Sequence, residues 1–308
     1  MNFRLFPRGA ANPPSPSPGN PGEGRGEGDF VFHSALCIPH RSLTRYIPSY
    51  TTPPVPRLLL TLALLTALPT RAAEPITVGA AISLKDALTD IAHCYESDTA
   101  QKIDLAFGSS GQLAAQIRNG APIDLFISAS PKQIDDLAKA NLIDQTTRRT
   151  IATNTLVLIA PAASTDPPKS WQDLTNPKFK RIAIGDPRTV PAGEYAAQTL
   201  ESLHLSDALN DRLVYGSNVR QVLSYVERNE VPAGIVYLTD AQQSGNKIKL
   251  IAKADPSTHD PITYPAADLK SSPHHEAALQ FLNYITIETS RSILTKKGFT
   301  PPENPTSN

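Results

Sequence analysis

Residues 185–200 read GDPRTVPAGEYAAQTL, and the parsing of this stretch decides the architecture. The run Arg181–Ile184 before it reads as a buried strand. It closes on Gly185-Asp186-Pro187, and helical spacing begins near Pro191. A strand that turns tightly into a helix is the repeating unit of an α/β protein. The tip of the turn, Pro191-Ala192-Gly193, carries no side chain able to hold a ligand. What it offers is backbone. The first N–H groups of a helix lack intrahelical partners and sit at the positive end of its dipole. Such a turn can grip an anion without any basic side chain, and bare residues let the anion come close.

The same unit recurs on either side. Strands are predicted over 76–81, 102–108, 123–129, 154–161, 181–187 and 233–241, with strand-like runs at 247–252 and 262–269. Helices are predicted over 83–97, 110–120, 130–143, 192–205 and 218–230, and from His274 towards Lys297. Ser130 as N-cap and Pro131 at the first position open the third of these. The alternation predicts an α/β fold, a parallel sheet with helices on both faces. Four helix starts share one character: GAAISLKD, FGSSGQLA, GDPRTVPAGEY and YGSNVRQV. In open α/β sheets ligands collect beyond the carboxyl ends of the strands, where these junctions lie.

The 308 residues allow two ordinary domains. Zero formal charge hides an asymmetry: residues 1–73 hold 7 Arg and 3 acidic residues, and residues 74–308 hold 22 Lys+Arg against 26 Asp+Glu. A mildly acidic body without basic stripes argues against nucleic acid as partner. Residues 1–56 carry 11 of the 29 prolines and are expected to be disordered. Residues 57–73 form a predicted signal peptide: Arg57, the apolar run Leu58–Leu68, then small residues, too short to span a bilayer. Cleavage at Ala72 or Ala73 leaves a chain starting near Glu74. The sole methionine lies far upstream of this signal, so translation is expected to start near Val55 or Leu58, the alternative being a real leader. Export without a lipid-attachment pattern points to the periplasm. Cleavage would remove Cys37 and leave Cys94 as a lone helix-packing thiol.

Each candidate residue has a plain structural alternative. Ser83 and Ser110 read as helix N-caps, Tyr237 as a core strand tyrosine, and Arg220 as an exposed helix arginine. FGSSG lacks the G-x-S-x-G spacing of a nucleophilic serine, and the histidines show no H-x-x-x-H ligand pair. An enzyme is not expected.

Taken together, AAISLKDAL, FGSSGQLAAQIRNGAPIDLFISAS, IGDPRTVPAGEYA, VRQVLSYVERNEVPAGIVYLTDA and KKGFTPP resemble the periplasmic molybdate-binding proteins of ABC transporters. The resemblance runs from about Ile76 to Pro301. It implies a two-lobed periplasmic binding protein fold, each lobe a mixed, mostly parallel sheet flanked by helices, with the ligand in the cleft between. Lobe one would take 74–153 and 238–301, lobe two 154–237, and residues 302–308 a tail. By position, the family's ligand contacts fall on Ser83, on Ser110 (or Ser109 in the same turn), on the backbone of Ala192 and Val219, and on Tyr237. The implied ligand is molybdate, with tungstate beside it, and no cofactor or direct metal ligand is expected. The implied partner is an ABC permease of the inner membrane, served by a monomer. Rival readings are a carrier of sulfate or thiosulfate, a sensory oxyanion-binding module, and a hydrolase using Ser110.

Overall fold

The computed structural model describes residues 74–302. The predicted leader and signal peptide, and residues 303–308, lie outside them. The described strands form two five-stranded sheets. In the first, β1 (Ile76–Ala81) pairs in parallel with β2 (Ile103–Gly108) and β3 (Leu125–Ile127). The late strand β10 (Thr263–Asp268) lies antiparallel between β3 and the edge strand β4 (Arg149–Thr153). The second sheet repeats the plan. Its β6 (Ile182–Gly185) pairs in parallel with β7 (Leu213–Gly216) and β8 (Ala233–Tyr237). Between β8 and the edge strand β9 (Ile248–Lys253) runs antiparallel β5 (Leu156–Pro161). In each sheet four strands run one way, and the reversed one, β10 or β5, is the strand that arrives from the other half.

This plan corrects one predicted boundary. The family resemblance implies that all of 238–301 belongs to the first lobe, yet β9 pairs with β5 in the second sheet. The chain returns to the first half only between Lys253 and Thr263. The reason lies in the repeat: β9 takes the edge place in its sheet that β4 takes in the other.

Helices cover both faces, as the alternation requires. Along β3, Leu125 and Ile127 face one way and Phe126 the other, the period of two that any strand imposes. Phe126 packs with Leu113 and Ile117 of α2 (Ser110–Arg118) and with Ile134 and Leu137 of α3 (Pro131–Lys139). The opposite face takes α1 (Lys85–Thr99) and α8 (His275–Thr286), where Tyr95 meets Phe281 edge-on at 5.0 Å. Burying each such side chain contributes about 1.5–3 kcal/mol.

Several local expectations shift. The first helix proper begins at Lys85, after a 3-10 turn over Ile82–Leu84. The long final helix breaks at Ile287, which is extended, into α8 and the helix Glu288–Lys296. Strands β4 and β7 were not predicted; both are short edge strands whose half-buried residues show little apolar pattern. Cys94 is buried in α1, on the face that packs into the core.

Candidate functional site

The carboxyl ends of β1, β2, β6 and β8, and the helix start beyond β7, converge on one small cavity between the two sheets. It is lined by Ser83, Ser110, Ala192, Val219 and Tyr237 together. All five residues singled out in the sequence therefore meet, although they are spread over 155 positions of the chain. Among the described residues, no lysine or arginine lines it.

From the first half come two serines, and neither is a helix cap. Ser109 caps α2, accepting from the Gln112 N–H at 3.4 Å. Ser110 is the first helical residue, fully buried, and its Oγ accepts from the Ala129 N–H at 2.9 Å. Its own proton enters none of the hydrogen bonds seen among the described residues, and the residue lines the cavity. Ser83 sits in the 3-10 turn after β1, which has no side-chain cap. Its Oγ lies 3.0 Å from the phenol oxygen of Tyr264.

From the second half come two helix starts. The helix α4 (Pro191–Ser202) opens with a proline that has no N–H, so Ala192 supplies its first donor. Gly193 is bare for a different reason from the one inferred: a Cβ there would lie 2.0 Å from the Gly185 carbonyl oxygen. Its smallness seats α4 on β6, while Pro191 and Ala192 are the turn residues that face the cavity. Asn218 caps α6 (Val219–Glu227), accepting from the Gln221 N–H at 3.0 Å, and leaves Val219 as the first helical N–H.

Tyr237 ends β8 with its side chain 1% exposed, and its hydroxyl has no partner among the described residues. A buried hydroxyl without a partner is costly. Burial pushes its pKa well above the ordinary tyrosine value, so it stays protonated and can donate.

Arg220 is neither exposed nor in the cavity. Its Nη2 donates to Asp86 Oδ2 at 2.6 Å, and its Nε makes an ion contact with Asp240 Oδ1 at 2.5 Å without hydrogen-bond alignment. Asp86 is on α1 and Arg220 on α6, so this pair ties the halves together while spending the arginine's charge. Burial alone would lower its pKa, but the two carboxylates outweigh that and raise it.

Sequence reasoning missed Tyr264 and the role of Asn154. Asn154 Nδ2 lies 3.1 Å from the Tyr264 hydroxyl and 2.9 Å from Thr239 Oγ1. Tyr264 lies 181 positions from Ser83, and nothing in ITYPAADL marks it as other than a core strand residue.

The profile of bacterial extracellular solute-binding proteins matches residues 76–300. The molybdate-binding protein ModA of Escherichia coli K12 is 39% identical over 232 residues, covering 73% of this chain and 88% of that protein. A Bacillus subtilis protein named as an ABC transporter substrate-binding lipoprotein, YvgL, is also 39% identical, covering 73% and 86%. Among solved structures, the periplasmic molybdate-binding protein of Azotobacter vinelandii superposes with a TM-score of 0.67 at 26% identity, covering 74% of this chain and 100% of that one.

Proposed function

Because the chain belongs to the bacterial extracellular solute-binding family, we propose that it captures molybdate between its two halves and hands it to an ABC permease. Export to the periplasm through the 57–73 signal is part of the same reading. So is acceptance of tungstate, which has the same shape and charge. Catalysis has no place in it.

The observation that carries the proposal is the donor set of the cavity. Two serine hydroxyls, the unpartnered Tyr237 hydroxyl and the first N–H groups of α4 and α6 surround a space that no basic side chain lines. Molybdate is a tetrahedral dianion, and burying it demands a donor for each oxygen. Each hydrogen bond to a charged partner contributes about 1.5–3 kcal/mol. The helix starts add the positive ends of their dipoles. Several such terms together offset the loss of water without a net positive charge, which suits the mildly acidic body from residue 74 onwards.

The donors come from both halves, so binding favours the closed arrangement and closing completes the site. A permease can then distinguish loaded from empty protein by shape.

Calorimetric titration of the exported chain with molybdate, tungstate, sulfate and phosphate tests the proposal. Tight binding of the first two and weak binding of the others is the expected result. Sulfate binding as tightly as molybdate would make this a general oxyanion carrier, and silence towards all four would end the reading.

A further inference from the structure

We infer that Asn154 and Tyr264, neither of which lines the cavity, fix the direction of the Ser83 proton and so make Ser83 an obligate donor. The inference rests on the oxyanion reading of the site and deepens it. It adds two positioning residues and a reason for rejecting protonated anions.

The argument is a count of protons. Asn154 Oδ1 accepts from the Thr155 N–H at 2.9 Å. A backbone N–H can only donate, so the amide oxygen is identified and the other amide atom is the nitrogen. That nitrogen has two protons and accepts nothing. It faces Thr239 Oγ1 at 2.9 Å and the Tyr264 oxygen at 3.1 Å. Tyr264 therefore accepts from Asn154, and its single proton goes to its remaining partner, Ser83 Oγ, at 3.0 Å. Ser83 accepts in turn, and its proton is left for the cavity that it lines.

Everything about the chain favours one polarity. Tyr264 is fully buried and Ser83 nearly so, so water does not compete for either oxygen. Burial also raises the Tyr264 pKa, keeping the relaying proton in place. The strand register slips between Tyr264 and Pro265, an irregularity of the kind that re-aims a side chain. Asn154 stands where the chain passes from the first sheet to the second, and Thr239 follows Tyr237 by two residues. One amide thus ties the donor of the first half to the segment that carries Tyr237.

Ser110 follows a separate route: its oxygen accepts from the Ala129 N–H, and its one proton is left over to donate. Both serines then present protons. A fully deprotonated tetrahedral anion meets donors on each, whereas a protonated one such as hydrogen phosphate must set its own O–H against theirs.

The test is a double-mutant cycle. Asn154→Asp keeps the shape but turns a donor into an acceptor. The Tyr264 proton is drawn to it, Ser83 donates to Tyr264, and a lone pair faces the cavity. Calorimetry should show Asn154→Asp weakening molybdate binding about 100-fold and Tyr264→Phe about tenfold. In the Tyr264→Phe background Asn154→Asp should cost only a few-fold more, because the link is already cut. Inorganic phosphate should compete with molybdate relatively better in Asn154→Asp than in the wild type.

Factors that simply multiply would mean that the new charge acts directly, and would overturn the inference while leaving the oxyanion reading intact. Wild-type protein that binds no tetrahedral oxyanion would remove both. Should Asn154→Asp fail to fold, Tyr264→Phe decides alone: an unchanged ratio of molybdate to phosphate binding overturns the inference.

Discussion

The Gly111 N–H donates to the Thr189 carbonyl oxygen at 3.0 Å. Gly111 is in the first turn of α2, in the first half, and Thr189 precedes α4 in the second. An otherwise unpartnered N–H of one helix start is spent on the turn that leads into another. The two backbones touch beside the cavity, and no side chain is needed to join them.

That contact leaves no room for a side chain at Gly111. A Cβ there would lie 2.5 Å from the Thr189 oxygen and 2.7 Å from its Cα. Backbone atoms cannot swing aside, so Gly111→Ala is expected to hold the halves apart. Molybdate affinity should fall about tenfold or more, a typical cost of overpacking. The melting temperature without ligand should change little, because each half keeps its core. Calorimetry beside small-angle scattering checks this, and wild-type affinity would show that the contact does not govern closure.

Tyr237→Phe and Ser110→Ala should separate binding from folding. Each is expected to weaken molybdate binding by about 1–3 kcal/mol, the cost of a missing partner to a buried charge. Their effects on the unliganded protein should differ. The Tyr237 hydroxyl has no partner among the described residues, so Phe should leave the unliganded melting temperature unchanged or higher. Ser110→Ala strips the Ala129 N–H of its acceptor and should cost about 1–3 kcal/mol of stability as well. Equal effects of the two variants on unliganded stability would contradict the geometry.

Ala192 tests whether a backbone donor matters. Ala192→Pro removes the N–H at a first-turn position, where a helix tolerates proline. Ala192→Gly keeps the N–H. Proline should weaken molybdate binding by about 1.5–3 kcal/mol, with glycine near the wild type. If isothermal titration finds both variants alike, the α4 start is not a ligand donor.

The Arg220 cluster gives the protein a pH dependence. Burial raises the Asp240 carboxyl from 3.8 to about 6, against the pull of Arg220. Between those values the unfolded chain has shed this proton and the folded chain keeps it. Its contribution to stability is therefore complete below pH 3.8 and is lost as pH rises through about 6. The span is on the order of 3 kcal/mol. Asp240→Asn should flatten the profile of denaturation midpoint against pH in that window, with Asp86 still holding Arg220. A variant that keeps the wild-type slope there would place the titration elsewhere.

Much of this protein follows from local pattern. Periodicity marked β1, β5, β6 and β8 and the helices between them, because a strand or a helix repeats its apolar positions over a few residues. The small, hydroxylic helix starts pointed to an anion held by backbone and hydroxyls, since an N-terminus lacks partners whatever surrounds it. The choice of Ser83, Ser110, Ala192, Val219 and Tyr237 came from the family resemblance, and the structure gathers these five around one cavity. Tertiary structure alone decided which sheet received β9, since an edge place depends on a vacant neighbour rather than on KIKLIA itself. It also decided that Ser109 rather than Ser110 caps α2, that Gly193 is small to admit the Gly185 carbonyl, and that Arg220 is spent on Asp86 and Asp240. The direction of the Ser83 proton is set by atoms 71 and 181 positions away. Proton direction is a property of a closed set of donors and acceptors, and only folding closes that set.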